Sequence, residues 1–188
     1  MATRCSAFIA VSLDGFIARK DGSLDWLDKA NLLAPKGEDC GYKTFMESID
    51  ALVMGRKTFE KVLSFGVPWP YAEKQVIVLS SRKLTFPENI QSVVSHSSGT
   101  PESIVTNLAA RKLNRLYIDG GVTIQRFLAS GFIDEITLTV VPVLLGDGIR
   151  LFGPLVKDIS FKLVNTRAYD FGFVQMTYRV EKPGTGVC

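Results

Sequence analysis

Short, nearly unbroken apolar runs at residues 7–13 (Ala-Phe-Ile-Ala-Val-Ser-Leu), 51–54, 76–79 and 116–118 constrain this chain more than any other feature. A run of this length without polar alternation suits a strand buried on both faces, as in a largely parallel sheet. Between the runs, apolar residues recur at helical spacing: Tyr42, Phe45, Met46 and Ile49; Phe59, Val62 and Leu63; Ile104 and Leu108; Ile124, Phe127 and Leu128. The order strand, helix, strand predicts an α/β fold. Thr100-Pro101-Glu102 reads as a helix start and Gly131 as a helix end. Beyond Gly131, Ile136, Leu138 and Val140 alternate with Thr137 and Thr139, and strand-like stretches follow near 160–168 and 173–180. The sheet is therefore expected to be mixed, mainly parallel, with an antiparallel C-terminal edge. Residues 1–182 read as a single domain and 183–188 as a disordered tail.

Composition narrows the function. At 188 residues a single core can remove roughly 70% of the unfolded surface from water, so folding needs neither disulfides nor a structural metal. With 22 Lys plus Arg against 19 Asp plus Glu, the charge of +3 is small and spread out, which argues against nucleic acid as a partner. Three cysteines, Cys5, Cys40 and Cys188, form no C-x-x-C pair, and His96 is the only histidine. Neither a zinc site nor histidine-based catalysis is indicated. The N-terminal apolar stretch is interrupted by Asp14, and no transmembrane run of about 18 apolar residues occurs, so a soluble cytoplasmic protein without a membrane partner is expected.

Three places share one design, a buried strand ending in a turn. In Met54-Gly55-Arg56-Lys57-Thr58, glycine lets the backbone approach a ligand, and the next N–H groups open a helix whose positive end attracts anions. A solvated Arg-Lys pair starting a surface helix is the alternative. In Leu79-Ser80-Ser81-Arg82-Lys83, hydroxyls and an arginine fork suit a phosphate monoester such as the 2′-phosphate of NADPH, against the alternative of a solvated loop. In Ile118-Asp119-Gly120-Gly121-Val122-Thr123, backbone N–H groups can face a diphosphate, or the glycine pair is simply a turn. Neither G-x-G-x-x-G after the first strand nor a P-loop is present. All three turns fall at carboxyl ends of strands, where open α/β sheets bind ligands.

These motifs, with Ser12-Leu13-Asp14-Gly15-Phe16-Ile17-Ala18 and Asp134-Glu135 leading to Pro142-Val143-Leu144-Leu145-Gly146-Asp147-Gly148, resemble the dihydrofolate reductase superfamily over about residues 5–180. Within it they are most like stand-alone proteins related to the C-terminal reductase domain of the riboflavin-biosynthesis deaminase/reductase. The resemblance implies a three-layer, dihydrofolate-reductase-like sandwich that binds NADPH. It implies that Ala10, Ile17 and Ala18 line the nicotinamide end and that Gly55, Arg56, Lys57 and Thr58 hold phosphates. Leu79, Ser80, Ser81 and Arg82 would meet the 2′-phosphate, and Gly120, Gly121, Val122 and Thr123 the diphosphate. Core packing is the alternative for Ala10 and Ile17.

The resemblance also points to an acid fifteen positions before Met54, which is Asp39. Three residues before Tyr42 and seven before Met46, Asp39 would lie on the apolar stripe of a helix, turned inward and partly desolvated. The alternative is a first-turn carboxylate favoured by the helix dipole. The stretch between Trp26 and Asp39 departs from the folate enzymes, so the substrate wall does not carry over. Trp26 and Trp69-Pro70-Tyr71 rim a pocket or mark core edges. The expected activity is NADPH-dependent hydride transfer to a small pterin-like or aminouracil-like heterocycle. The rival is an NADPH-binding module without chemistry. Residues 140–145 with Phe152 are a candidate face for a homodimer.

Overall fold

The computed structural model describes residues 2–181, so the tail at 183–188 lies outside the described residues. In chain order the elements are β1 (Arg4–Ser12), β2 (Phe16–Ala18), α1 (Asp25–Asn31), α2 (Tyr42–Glu47), β3 (Ala51–Gly55), α3 (Arg56–Leu63) and β4 (Gln75–Leu79). There follow β5 (Val94–Ser97), α4 (Pro101–Ala110), β6 (Arg115–Asp119), α5 (Gly121–Ala129), β7 (Glu135–Val141), β8 (Ile149–Arg150), β9 (Phe161–Ala168) and β10 (Val174–Val180).

Eight strands form one sheet in the order β5-β4-β3-β6-β1-β7-β10-β9. The first six are parallel; β10 pairs antiparallel with β7, and β9 antiparallel with β10. The continuous apolar runs are continuous because both faces are covered: Ala51, Leu52, Val53 and Met54 are all 0% exposed. On one face Ile104, Leu108, Ile124, Phe127 and Leu128 of α4 and α5 pack against Leu116, Ile118 and Ala7. On the other, Phe59 of α3 and Tyr42 and Phe45 of α2 pack against Leu52, Met54, Val76 and Tyr117. Trp26 of α1 extends this second layer over Val141 and Ala10.

The helix punctuation follows its chemistry. The Thr100 hydroxyl oxygen accepts the Ser103 N–H at 3.2 Å, and Pro101 opens α4. Beyond α5, Gly131 takes φ +73, and the N–H groups of Gly131 and Phe132 donate to the carbonyls of Leu128 and Phe127 at 3.0 and 2.9 Å. Lys112 closes α4 in the same way at φ +64, a conformation costly to a side chain. Three elements were not foreseen: α1, the edge strand β5, and a two-stranded ribbon of β2 with β8.

The ladders position the site. β1 pairs with β7 through seven residues, Ser6↔Glu135 to Ser12↔Val141. With β6 it pairs through only three, ending at Ser6↔Tyr117, while β6 stays with β3 as far as Met54↔Asp119. The carboxyl half of β1 has thus left β6, and a cleft opens between them. The carbonyl of Phe8, on the unpaired stretch, accepts the Tyr117 hydroxyl at 2.9 Å instead of a ladder N–H. The chain also leaves β1 and β6 over opposite faces, in opposite directions along the sheet. That is where α/β sheets hold their ligands.

Candidate functional site

The cleft is rimmed by the turns singled out in the sequence. Gly55 aligns with Leu79, so the turns after β3 and β4 are neighbours. The turns after β3 and β6 interlock. A Cβ on Gly120 would sit 2.2 Å from Thr58 Oγ1, and Gly120 holds φ +88, so both space and backbone demand glycine. A Cβ on Gly55 would meet Thr123 Oγ1 at 3.0 Å, and one on Gly121 would meet Ile17 Cδ1 at 2.7 Å. Thus Gly55, Thr58, Gly120, Gly121, Thr123 and Ile17 converge, with the buried Ala18 alongside in β2.

The two helices that start here leave their first-turn amides without a side-chain acceptor among the described residues. Both α3 and α5 begin at glycine. Their N–H groups and dipoles therefore face the rim together. Arg56 is half-buried and paired with Glu60 at 2.6 Å on its own helix, while Lys57, Ser81, Arg82 and Val122 are exposed. The Ser80 hydroxyl oxygen accepts the Arg82 N–H at 3.0 Å, which orders that turn.

Asp39 requires a correction. Its carboxylate is exposed and accepts the N–H groups of Gly41 and Lys43 at 2.8 and 2.9 Å, ahead of a helix that starts only at Tyr42. Helical spacing fails because Cys40 (φ +52) and Gly41 (φ +81) are left-handed, which swings Asp39 away from the stripe of Tyr42 and Met46. The inward, desolvated carboxylate expected from the sequence is absent at this position.

A different carboxyl lies beside the cleft. Asp119 ends β6 and faces the same side as Tyr117, two residues earlier. Burial pushes its carboxyl above the ordinary aspartate range, opposed by the Gly120 N–H, which donates to it at 2.8 Å, and by the Tyr117 hydroxyl. Tyr42 and Tyr71, from α2 and the 64–74 loop, stand close enough to influence each other and Asp119. Burial is the first cause that pushes the ionisation of all three tyrosines upward. The sequence reading missed this group; its one local signal was Tyr117 and Asp119 sharing a face at period two.

The remaining wall carries polar groups where a sheet core is ordinarily apolar. Thr137 and Thr139 are buried on the face that β1 presents with Phe8 and Ala10. Their hydroxyls meet Thr177 at 3.1 Å and the Gln175 amide at 2.9 Å; that amide also donates to the Cys40 carbonyl at 2.8 Å. The indole N–H of Trp26, 3% exposed and packed with Ala10, has no acceptor among the described residues. A loop latch closes the far side: the Asp14 carboxylate accepts the Leu145 N–H at 3.0 Å and the Gly146 N–H at 2.7 Å. The Ser12 hydroxyl, donating at 2.6 Å, does most to hold Asp14 down at about 2, with those N–H groups helping. Of the proposed subunit face, Val141 is buried, whereas Leu144 and Phe152 are exposed; Phe152 lines an apolar hollow with Ile136, Leu138, Phe161 and Tyr178. Among the described residues no group of acidic, cysteine or histidine side chains could hold a metal, and no helix is long and apolar enough to cross a membrane.

Residues 5–175 match the family described as the RibD C-terminal domain. The chain belongs to that family. Two relatives from Bacillus subtilis (strain 168) are the uncharacterized proteins YwjB and YyaP, each 32% identical. The match to YwjB covers 90% of this chain and 94% of that protein. Among solved structures, a Shewanella sp. PV-4 protein provisionally assigned to riboflavin biosynthesis is 43% identical, with a TM-score of 0.89 over 97% of this chain and all of that one. The Thermotoga maritima diaminohydroxyphosphoribosylaminopyrimidine deaminase/5-amino-6-(5-phosphoribosylamino)uracil reductase is 20% identical, with a TM-score of 0.67 over 95% of this chain and 57% of that one. Dihydrofolate reductase from Enterococcus faecalis, solved with NADP(H), is 21% identical, with a TM-score of 0.61 over 95% of this chain and 97% of that one. The last two show the fold: RibD C-terminal domains and dihydrofolate reductases share this three-layer α/β sandwich, and the chain has a reductase-type fold.

Proposed function

We propose that the rim binds NADPH and that the chain reduces a C=N or C=O group in a small heterocycle of aminouracil or pterin type. The observation that carries this reading is the interlocked pair of uncapped helix starts, Gly55 to Thr58 and Gly120 to Thr123, beside the cleft where β1 leaves β6. Such a pair suits a diphosphate, because two sets of free N–H groups converge where a Cβ would intrude. Arg56, Lys57 and Thr58 would hold phosphate oxygens, as would Val122 through its backbone. Leu79, Ser80, Ser81 and Arg82 would meet the 2′-phosphate. Ala10, Ile17 and Ala18 would flank the nicotinamide, and the orphan Trp26 N–H offers a donor to a bound ring or its water. When bound, the cofactor supplies the hydride. This chain's residues orient donor and acceptor and exclude water. The substrate class is suggested by the aminouracil reductase activity of the Thermotoga maritima neighbour and the NADP(H) of the Enterococcus faecalis one.

Thermal unfolding with NADPH or NADH is the first test. A ligand that binds only the folded state stabilises by RT ln(1 + [L]/Kd), about 2.7 kcal/mol at a hundredfold excess over Kd. NADPH should stabilise more than NADH, and Arg82→Ala should weaken NADPH selectively by about 1.5–3 kcal/mol. Equal or absent responses would refute the assignment. The rival reading, a module that binds NADPH without chemistry, is favoured by the outward position of Asp39. It expects stabilisation by NADPH and no oxidation of it with either substrate class.

A further inference from the structure

We propose that His96 is a positioning residue for the cofactor's extra phosphate: its imidazole fixes the turn from Ser80 to Arg82 and thereby sets the preference for NADPH over NADH. The role rests on the reading of the rim as an NADPH site.

The turn needs an outside hold. β4 ends at Leu79, and Ser81, Arg82 and Lys83 are exposed as the chain leaves the sheet. β5 is the outermost strand on this side and pairs with β4 for four residues, Val76↔Val94 to Leu79↔Ser97. The ladder adds one more bond, from the Ser80 N–H to the Ser97 carbonyl at 3.1 Å. A strand residue's N–H and carbonyl point to the same neighbour, so the Ser80 carbonyl faces β5 as well. Had β5 run on, the Gly99 amide would meet it. Instead Gly99 takes φ +124, and its carbonyl accepts the Arg126 guanidinium at 3.1 Å as the chain turns into α4.

His96 takes over the missing bond. Its ring Nε2 stands 2.9 Å from the Ser80 carbonyl. A carbonyl can only accept, so Nε2 must carry a proton. Opposite Val78 and two residues after the buried Val94, His96 lies on the face of the sheet that Phe59 of α3 covers.

The consequence is directional. A trans peptide points its carbonyl and its N–H opposite ways. Holding the Ser80 carbonyl toward β5 therefore turns the Ser81 N–H away from β5, to the side of β3 and the Gly55 turn. That N–H has no acceptor among the described residues. The Ser80 hydroxyl oxygen accepts the Arg82 N–H at 3.0 Å, which leaves the hydroxyl proton to donate. The Ser81 N–H, the Ser80 hydroxyl and the exposed Arg82 guanidinium thus offer three donors to one phosphate monoester. Without the imidazole, the peptide between Ser80 and Ser81 is free to rotate, and Arg82 follows it.

Two measurements on the full chain test this. His96 is the only histidine in the sequence, so its resonances need no assignment. With 15N-labelled histidine, Nε2 should carry a proton that exchanges slowly with water, and NADPH should shift the ring resonances more than NADH does. A ring protonated only at Nδ1, or equal shifts with the two cofactors, overturns the proposal. This wild-type spectrum decides the matter even if a substitution prevents folding. The second measurement is calorimetric titration with each cofactor. His96→Leu should lower the ratio of NADPH to NADH affinity about tenfold, the size of one hydrogen bond to a charged group, with little change for NADH. His96→Gln, whose amide donor stands the same number of bonds from the backbone, should keep the ratio. An unchanged ratio in His96→Leu, or loss of both affinities alike, overturns the role of His96 alone. A wild type that binds NADPH no better than NADH overturns the reading of the rim, and the role of His96 with it.

Discussion

Three helices begin where a strand of the parallel sheet gives way, but they begin differently. α4 brings its own cap: the Thr100 hydroxyl takes the Ser103 N–H, the Ser103 hydroxyl returns a bond to the Thr100 carbonyl at 2.9 Å, and Pro101 removes one N–H altogether. α3 and α5 start at Gly55 and Gly120, with no side-chain acceptor among the described residues. A capped start is worth about 1 kcal/mol to a helix. Leaving two adjacent starts uncapped forgoes that stabilisation at the one place where anion binding would use the amides. α4 serves packing; α3 and α5 also serve the rim.

The contrast can be broken most severely at Gly120. Gly120→Val puts a β-branched side chain at φ +88 and 2.2 Å from Thr58 Oγ1, and should cost about 2–4 kcal/mol in urea unfolding and abolish the response to NADPH. A stable variant that still binds would show the interlock to be dispensable. Next is Gly55→Asp, which installs an acceptor like that of α4 where the anion is expected. The stabilisation by NADPH, about 2.7 kcal/mol at a hundredfold excess over Kd, should vanish in a thermal shift measurement. The reciprocal change, Thr100→Ala, should cost about 1 kcal/mol in chemical denaturation and leave NADPH affinity untouched.

Two smaller effects sharpen the comparison from outside the rim. Lys112→Gly relieves a left-handed lysine at the other end of α4 and should raise stability by roughly 0.5–1 kcal/mol in the same assay. Asp14 makes the latch between its own turn and the 143–148 loop sensitive to acid. Because its folded value is depressed to about 2 from 3.8, its contribution to stability is complete above 3.8 and disappears as pH falls through 2. Asp14→Asn should flatten that part of the acid unfolding curve, leaving the part due to Asp25, which Arg19 also holds at about 2.

What the sequence revealed and withheld has physical causes. Strands β1, β3, β4 and β6 were legible because double burial writes an unbroken apolar run, and β7 because it alternates. Strand β5, Val-Ser-His-Ser at the sheet edge, has no such signature; its histidine is held by the Ser80 carbonyl at 2.9 Å rather than by apolar packing. The β2–β8 ribbon is too short for periodicity to register. The glycine turns of the rim were legible because backbone demands select residue types directly. Asp39 misled because two left-handed residues, one of them Cys40, interrupt a spacing argument that assumes unbroken helix. The surroundings of Asp119 were invisible because its tyrosine neighbours Tyr71 and Tyr42 come from segments about fifty and eighty residues away.

The three-pair ladder between β1 and β6 divides the sheet into two four-stranded halves, β5-β4-β3-β6 and β1-β7-β10-β9, stitched along a seam only at its amino end. Whatever lodges in the open part of that seam splints the halves together. Occupancy should therefore slow amide exchange in the second half of β1 and along β6, far more than in β9 or β10.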